Sequence, residues 1–169
     1  MVQPQHQPAD LGYDTPQCRL TVCEQSGKWA VALRRELGET GPRVYETRSL
    51  PECWQLLAGH GASFLLLELV PAAVDDLIAR LASMEREFPA ARAVVVAERS
   101  LAAYEMLLRE AGAVHFVVTP RSLGEVAGLA RRHFAATPRS RRTLMEEIRA
   151  RLPWPPVRQS AVGAAEGVE

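Results

Sequence analysis

The sequence predicts an α/β domain: a five-stranded parallel sheet in three layers, with helices on both faces. Short apolar, β-prone runs alternate with helix-length amphipathic runs five times between about residues 18 and 136. Alternation at that spacing implies crossover connections between parallel strands. The most apolar stretch, Ala62 to Pro71, carries a single charge, Glu68, which suits a central strand covered on both faces. A lone acid at the carboxyl end of such a strand stands where open α/β sheets place their ligands.

The elements follow in order. Residues 1–17 hold three prolines and four glutamines with little apolar surface, so a disordered N-terminal arm is expected there. Arg19 to Glu24 alternates and reads as the first strand. Ser26 is expected to cap a helix through Leu37, with Trp29, Leu33 and Leu37 on one face and Gly38 as its stop. Arg43 to Thr47 is a second short strand, and Ser49-Leu-Pro-Glu52 is a capping box that opens a helix to Gly59. Ala62 to Val70 is the third strand. A helix from Val74 to Phe88 turns Leu77, Leu81 and Met84 inward and stops at Pro89. Ala93 to Ala97 is a fourth buried strand. Ser100 is then expected to cap a helix carrying Leu101, Tyr104, Leu107 and Leu108, ended by Gly112. Val114 to Val118 is the fifth strand. Ser122-Leu-Gly-Glu125 reads as another capping box, opening a helix to about Phe134.

Composition narrows the function classes. Twenty basic and twenty acidic side chains balance, so no bulk attraction to nucleic acid or membrane is implied. The charge is uneven, however: residues 119–158 carry nine arginines against three glutamates. Lys28 is the only lysine. Three cysteines, Cys18, Cys23 and Cys53, lack a Cys-x-x-Cys spacing, and with a polar, proline-rich start they predict reduced thiols in a cytoplasmic protein. No apolar run nears the roughly 20 residues of a membrane helix. No Gly-x-Gly-x-x-Gly follows the first strand, so a dinucleotide is not expected, and no cofactor is predicted.

The (βα)5 order, with Ala111-Gly112-Ala113, an apolar strand, Thr119-Pro120 and Leu123, resembles the receiver domain of bacterial response regulators, a flavodoxin-like fold. The likeness covers about residues 18–136. It implies a site for phosphoryl transfer to an aspartate after the third strand. Two acids after the first strand would hold Mg²⁺, and a Ser/Thr and a lysine after the fourth and fifth strands would bind the phosphoryl oxygens. This chain departs at nearly every such position. Glu68 stands at the nucleophile. Cys23 and Glu24 stand at the acidic pair, Ala97 at the hydroxyl and Thr119 at the lysine. Pro120 matches the family proline, whose preceding peptide bond is often cis in receivers. Phe116 matches the aromatic switch position. The Pro71–Val74 loop lacks the family glycine and brings its proline one residue closer, so a slip of one would put Leu67 at the nucleophile position. The resemblance therefore implies a degenerate pseudo-receiver without phosphotransfer or a metal site, and not an enzyme.

Two readings of Glu68 stay open. It imitates a phosphorylated site, or it is a remnant paired with a nearby donor. Glu24 could hold Mg²⁺ or cap the helix that follows. Cys23 is a redox thiol or a quiet buried one. Asp75 and Asp76 fit the first turn of a helix as well as a metal pair. Phe116 serves as core or as switch.

Residues 137–169 form a C-terminal extension. An amphipathic helix is expected over 139–152, which would set Leu144 and Ile148 among Arg141, Arg142, Arg149 and Arg151, before a Pro-Trp154-Pro motif. Arg141, Arg142, Leu144, Ile148 and Trp154 are the candidate partner-binding residues. The expected function is protein–protein interaction in bacterial signal transduction, a phosphorelay in the family's terms, with a homodimer as one form of partner. The alternative is a small nucleic-acid-associated regulator using the basic helix. An enzyme of flavodoxin-like fold ranks below both, because no nucleophile–base pair or phosphate loop is visible.

Overall fold

The computed structural model describes residues 18–137. The N-terminal arm and the extension from 138 onward, with Arg141, Arg142, Leu144, Ile148 and Trp154, lie outside the described residues. The sheet comprises β1 (Leu20–Cys23), β2 (Val44–Thr47), β3 (Phe64–Leu69), β4 (Arg92–Ala97) and β5 (His115–Val117). Its order is β2-β1-β3-β4-β5, and every pair is parallel. Helices α1 (Lys28–Leu37), α2 (Leu50–Gly59), α3 (Val74–Glu87), α4 (Glu105–Glu110) and α5 (Leu123–Ala136) connect and follow the strands. The chain leaves β1 toward β2 on one side and returns to β3 on the other. The crevice of this fold therefore opens at the carboxyl ends of β1 and β3.

The period of two along each strand divides the core. Leu20, Val22, Phe64, Leu66, Val94, Val96 and Val117 point to one face and pack against Trp29, Leu33 and Leu37 of α1 and Leu123 and Val126 of α5. Cys23, Leu65, Leu67, Leu69, Val95 and Phe116 point to the other, under Cys53 and Leu57 of α2, Leu77 and Leu81 of α3, and Leu108 of α4. Glu68 has the parity of Leu66, so the pleat turns its side chain toward α1. Leu67, on the opposite parity, is wholly buried. The acid at the mouth is thus Glu68.

Three local expectations need correction. Ser26 is not the cap of α1. Gly27 is, with φ +83°, a left-handed conformation natural to glycine, and Ser26 Oγ only meets the Lys28 amide at 3.5 Å. Ser100 does not open an α-helix. Arg99–Tyr104 is a 3-10 segment, which stacks Leu101 with Tyr104 at three residues per turn. The apolar stripe then continues to Leu108, and Leu107 is left 45% exposed. Ser122 makes no side-chain cap on α5. Thr119 caps one turn earlier, ahead of a 3-10 turn begun by Pro120. Glu125, freed from the box, lies 3.3 Å from His115 Nε2 instead. The other box forms in its first half: Ser49 Oγ accepts from the Glu52 amide at 3.4 Å, while the Glu52 carboxylate reaches one residue past the cap to the Arg48 amide at 3.1 Å.

Candidate functional site

Two glutamates meet the start of α1, and both are occupied by it. Glu24 follows β1 and is 1% exposed. Its two oxygens accept from the backbone amides of Trp29 at 2.9 Å and Ala30 at 2.6 Å. A carboxylate there satisfies two of the orphan N–H groups of the helix and faces the positive end of its dipole. The capping alternative is the one this geometry supports. The backbone of Glu24 is fixed too, by the Thr47 carbonyl and by Arg48, whose guanidinium donates to the Glu24 carbonyl at 3.2 Å.

Glu68 is held by three donors of the loop and helix after β1. Its Oε2 accepts from the Gln25 amide at 2.8 Å, and its Oε1 accepts from the Trp29 indole at 3.1 Å. Lys28 Nζ lies 3.7 Å from Oε1 and 3.5 Å from Glu98 Oε1, just past β4. The Glu68 side chain is 9% exposed. Of its two readings, the paired carboxylate matches what surrounds it. The sole lysine of the chain supplies the cation from α1, while the position after β5 holds the uncharged Thr119.

The remaining candidates scatter. Cys23, Glu24 and Glu68 line one cleft of about 220 Å³ together with Gln25, Arg48 and Ser49. Ala97, Thr119 and Phe116 do not line it. Ala97 is wholly buried in the core on the α2–α4 side of the sheet and offers a methyl group. Thr119 spends its hydroxyl on the Arg121 amide at 3.4 Å. Pro120 follows a trans peptide bond, since none of the described bonds is cis. The trans geometry lets Pro120 open the 3-10 turn that Thr119 caps. Phe116 is 7% exposed and packs in the core. Asp76 pairs with Arg80 at 2.9 Å, four residues along α3. A larger open depression of about 430 Å³, lined by Arg34, Leu37, Pro42 and Arg43, lies at the amino ends of the strands, away from Glu68.

A receiver with an intact site would hold Mg²⁺ at this crevice, and the donor set of this chain does not fit it. A divalent cation needs carboxylate oxygens free to face it. Here the Glu24 oxygens face α1 amides, the Glu68 oxygens take an amide and an indole, and an ammonium group already neutralises Glu68. Cys23, at the other acidic position, has no oxygen.

Several site residues were not foreseen from the sequence. Gln25, Lys28 and Trp29 contribute the donors to Glu68, Thr47 is the register partner of Cys23, and Arg48 clasps Glu24. Lys28 left one signal, its standing as the only lysine. Arg131, counted among the basic residues of the C-terminal half, donates to the Glu36 and Leu37 carbonyls at 2.8 and 3.1 Å. It closes the carboxyl end of α1.

No family model matches the chain, and no curated protein matches its sequence. Solved structures do match. A CheY-like protein (tadZ) from Pseudomonas aeruginosa is 21% identical with a TM-score of 0.55, covering 72% of this chain and 97% of that one. A response regulator from Thermotoga maritima is 15% identical with a TM-score of 0.57, covering 71% and 99%. A pilus assembly-related protein from Burkholderia pseudomallei is 18% identical with a TM-score of 0.51, covering 72% and 94%. At such identities the likeness is one of fold. Among the described residues no helix is long and apolar enough to cross a membrane. By the order of its strands, the parity of its core and these matches, the chain is a receiver-like domain in fold.

Proposed function

We propose that this chain is a non-phosphorylatable pseudo-receiver that acts as a protein–protein interaction module and not as an enzyme. One observation carries the reading: the carboxylate at the phosphoacceptor position is bound by Gln25, Trp29 and Lys28 of its own chain. A phosphoacceptor carboxylate presents an oxygen to the phosphoryl donor, whereas both oxygens of Glu68 are already engaged by donors of its own chain. Its electrostatic partner is built in, so the state of the site is set by the fold rather than by a phosphoryl donor.

The surface supports an interaction role. Of the large apolar side chains exposed among the described residues, Met106, Leu107 and Val114 belong to α4 or the turn into β5, and only Val31 lies elsewhere. A partner that covers them removes apolar area from water. The pilus-assembly description of one similar structure makes an assembly machine, rather than a phosphorelay, the first setting to test.

The test is incubation of the full chain with acetyl phosphate and Mg²⁺, read by intact mass. The expected result is no added phosphoryl group. A phosphoryl adduct that disappears in Glu68→Ala overturns the proposal.

A further inference from the structure

We propose that the segment Asp10–Asp14 of this chain docks in the open depression between α1 and β2, its two carboxylates facing Arg34 and Arg43 and its Leu11 and Tyr13 resting on the apolar floor. The depression has a volume of about 430 Å³ and is lined by Arg34, Leu37, Pro42, Arg43 and Val44. It lies at the amino end of β2, an edge strand of the sheet. Edge strands carry a row of unpaired backbone groups that native folds cover or blunt. Leu37 closes the last turn of α1 and Val44 opens β2. The floor is therefore apolar, while each side contributes an arginine.

Positive charge is in surplus here. Arg34 pairs with Glu46, which Arg48 also neutralises. Arg43 and Arg19 lie over the Tyr45 ring, 5.3 and 4.7 Å from its centre. A guanidinium stacked on a ring keeps its N–H edge for an acceptor. Among the described residues neither of these two makes an ion pair. The carboxyl end of a helix repels anions, but Arg131 already meets the Glu36 and Leu37 carbonyls there. Five arginines (Arg19, Arg34, Arg35, Arg43 and Arg48) stand against Glu36, Glu39 and Glu46, a surplus of two. Residues 1–18 contain Asp10 and Asp14 and no lysine or arginine, so the arm carries the matching charge.

The arm also joins the fold beside the depression. Leu20, the first residue of β1, is the register partner of Val44, and neighbouring strands lie about 4.8 Å apart. The chain from Asp14 to Cys18, extended, spans about 13 Å, enough to pass from β1 to the outer edge of β2. The tether makes docking intramolecular, so a few modest contacts suffice. The composition of residues 1–17 denies them a core of their own, yet such a segment orders on a surface that supplies apolar floor and counter-charge. Docked, it covers the edge at β2. It leaves Met106 and Leu107 of α4, toward the opposite edge of the sheet, open to a partner.

The experiment is brief chymotrypsin treatment of the full chain, with cuts after Leu11 and Tyr13 followed by mass and compared with a free peptide of residues 1–18. Cleavage follows the fraction of time the arm is undocked, so the expected rate at low salt is about tenfold below that of the peptide. In about 1 M sodium chloride, where screening acts beyond about 3 Å, the gap should close. Arg43 is exposed, so Arg43→Glu leaves the fold intact and should close the gap at low salt. Adding Asp14→Arg to that variant should reopen it, each chain being judged against the peptide of its own sequence. Wild-type cleavage at the rate of the peptide overturns the proposal, as does protection that neither salt nor Arg43→Glu changes. Protection that falls on dilution overturns it too, because the arm would then lie on a second copy.

Discussion

The indole N–H of Trp29 donates to Glu68 across 3.1 Å, from the first turn of α1 to the end of β3. Trp29 is 1% exposed and fills the core between α1 and the sheet. One residue thus anchors a helix by its ring and holds the strand-end acid by its nitrogen. That arrangement ties the strand-end acid of β3 to the packing of α1.

Removing the nitrogen alone separates those two roles. Trp29→Phe keeps most of the apolar body but leaves Glu68 Oε1 short of a donor at a nearly buried site, and should cost about 1–3 kcal/mol in chemical denaturation. In a Glu68→Leu background the same change should cost clearly less, because no carboxylate remains to be satisfied. The difference is the coupling between the two side chains. Equal costs in both backgrounds would mean that the bond contributes nothing and that Trp29 acts through packing alone.

Glu24 is predicted to matter more than its surface-type chemistry suggests. Glu24→Ala strips two amide bonds from the start of α1 and should lower stability by about 2 kcal/mol or more. Glu24→Gln retains one acceptor oxygen and should fall between. The loss should appear first in amide hydrogen exchange of Trp29 and Ala30. Unchanged protection at those two amides would remove Glu24 from the cap.

How far this site could be read from sequence depends on what each residue contacts. The strands and the two-faced core follow from local apolar patterning, so Phe64 to Leu69 and Arg92 to Ala97 are found where the sequence puts them. The losses at Ala97 and Thr119 are legible because they concern residue type alone. The partners of Glu68 were not, since Gln25 and Trp29 lie 43 and 39 residues away in the chain, and nothing local announces which oxygen an indole will meet. Caps failed for a related reason. Ser26 and Ser122 have the right side chains, yet Gly27 and Pro120 set backbone angles that move the helix starts away from them.

Acid should reveal a smaller effect at the sheet edge. The Arg34 guanidinium, bonded to Glu46, holds that carboxyl below its ordinary value, and Arg48 adds to this from 3.0 Å. A depressed carboxyl stabilises the fold at neutral pH, above its unfolded value, and the contribution fades as pH falls through its folded value. Glu46→Gln should therefore be less stable than the wild type at pH 7, by under about 1 kcal/mol given the exposure of the pair. The two should converge in acid, and added salt should narrow the gap. A gap that widened in acid would reverse the sign and refute the assignment.

Lys28 supplies the sharpest contrast with a metal site, because an ammonium and a divalent cation compete for the same carboxylates. Lys28 Nζ stands 3.7 Å from Glu68 and 3.5 Å from Glu98, with its side chain 40% exposed. The wild-type melting temperature should accordingly not move with millimolar Mg²⁺ at constant ionic strength, since a ligand stabilises only a state that it binds. Lys28→Ala leaves the two carboxylates without their shared counter-charge. It should cost under about 1 kcal/mol, as expected of a partly exposed pair, and Mg²⁺ should not restore it, because the Gln25 amide and the Trp29 indole still occupy the Glu68 oxygens. Thermal unfolding of both proteins with and without the ion decides the matter. A Mg²⁺-dependent rise in the wild type, absent from Glu68→Gln, would show that a cation displaces Lys28, and the site would have to be read again as a metal-binding one.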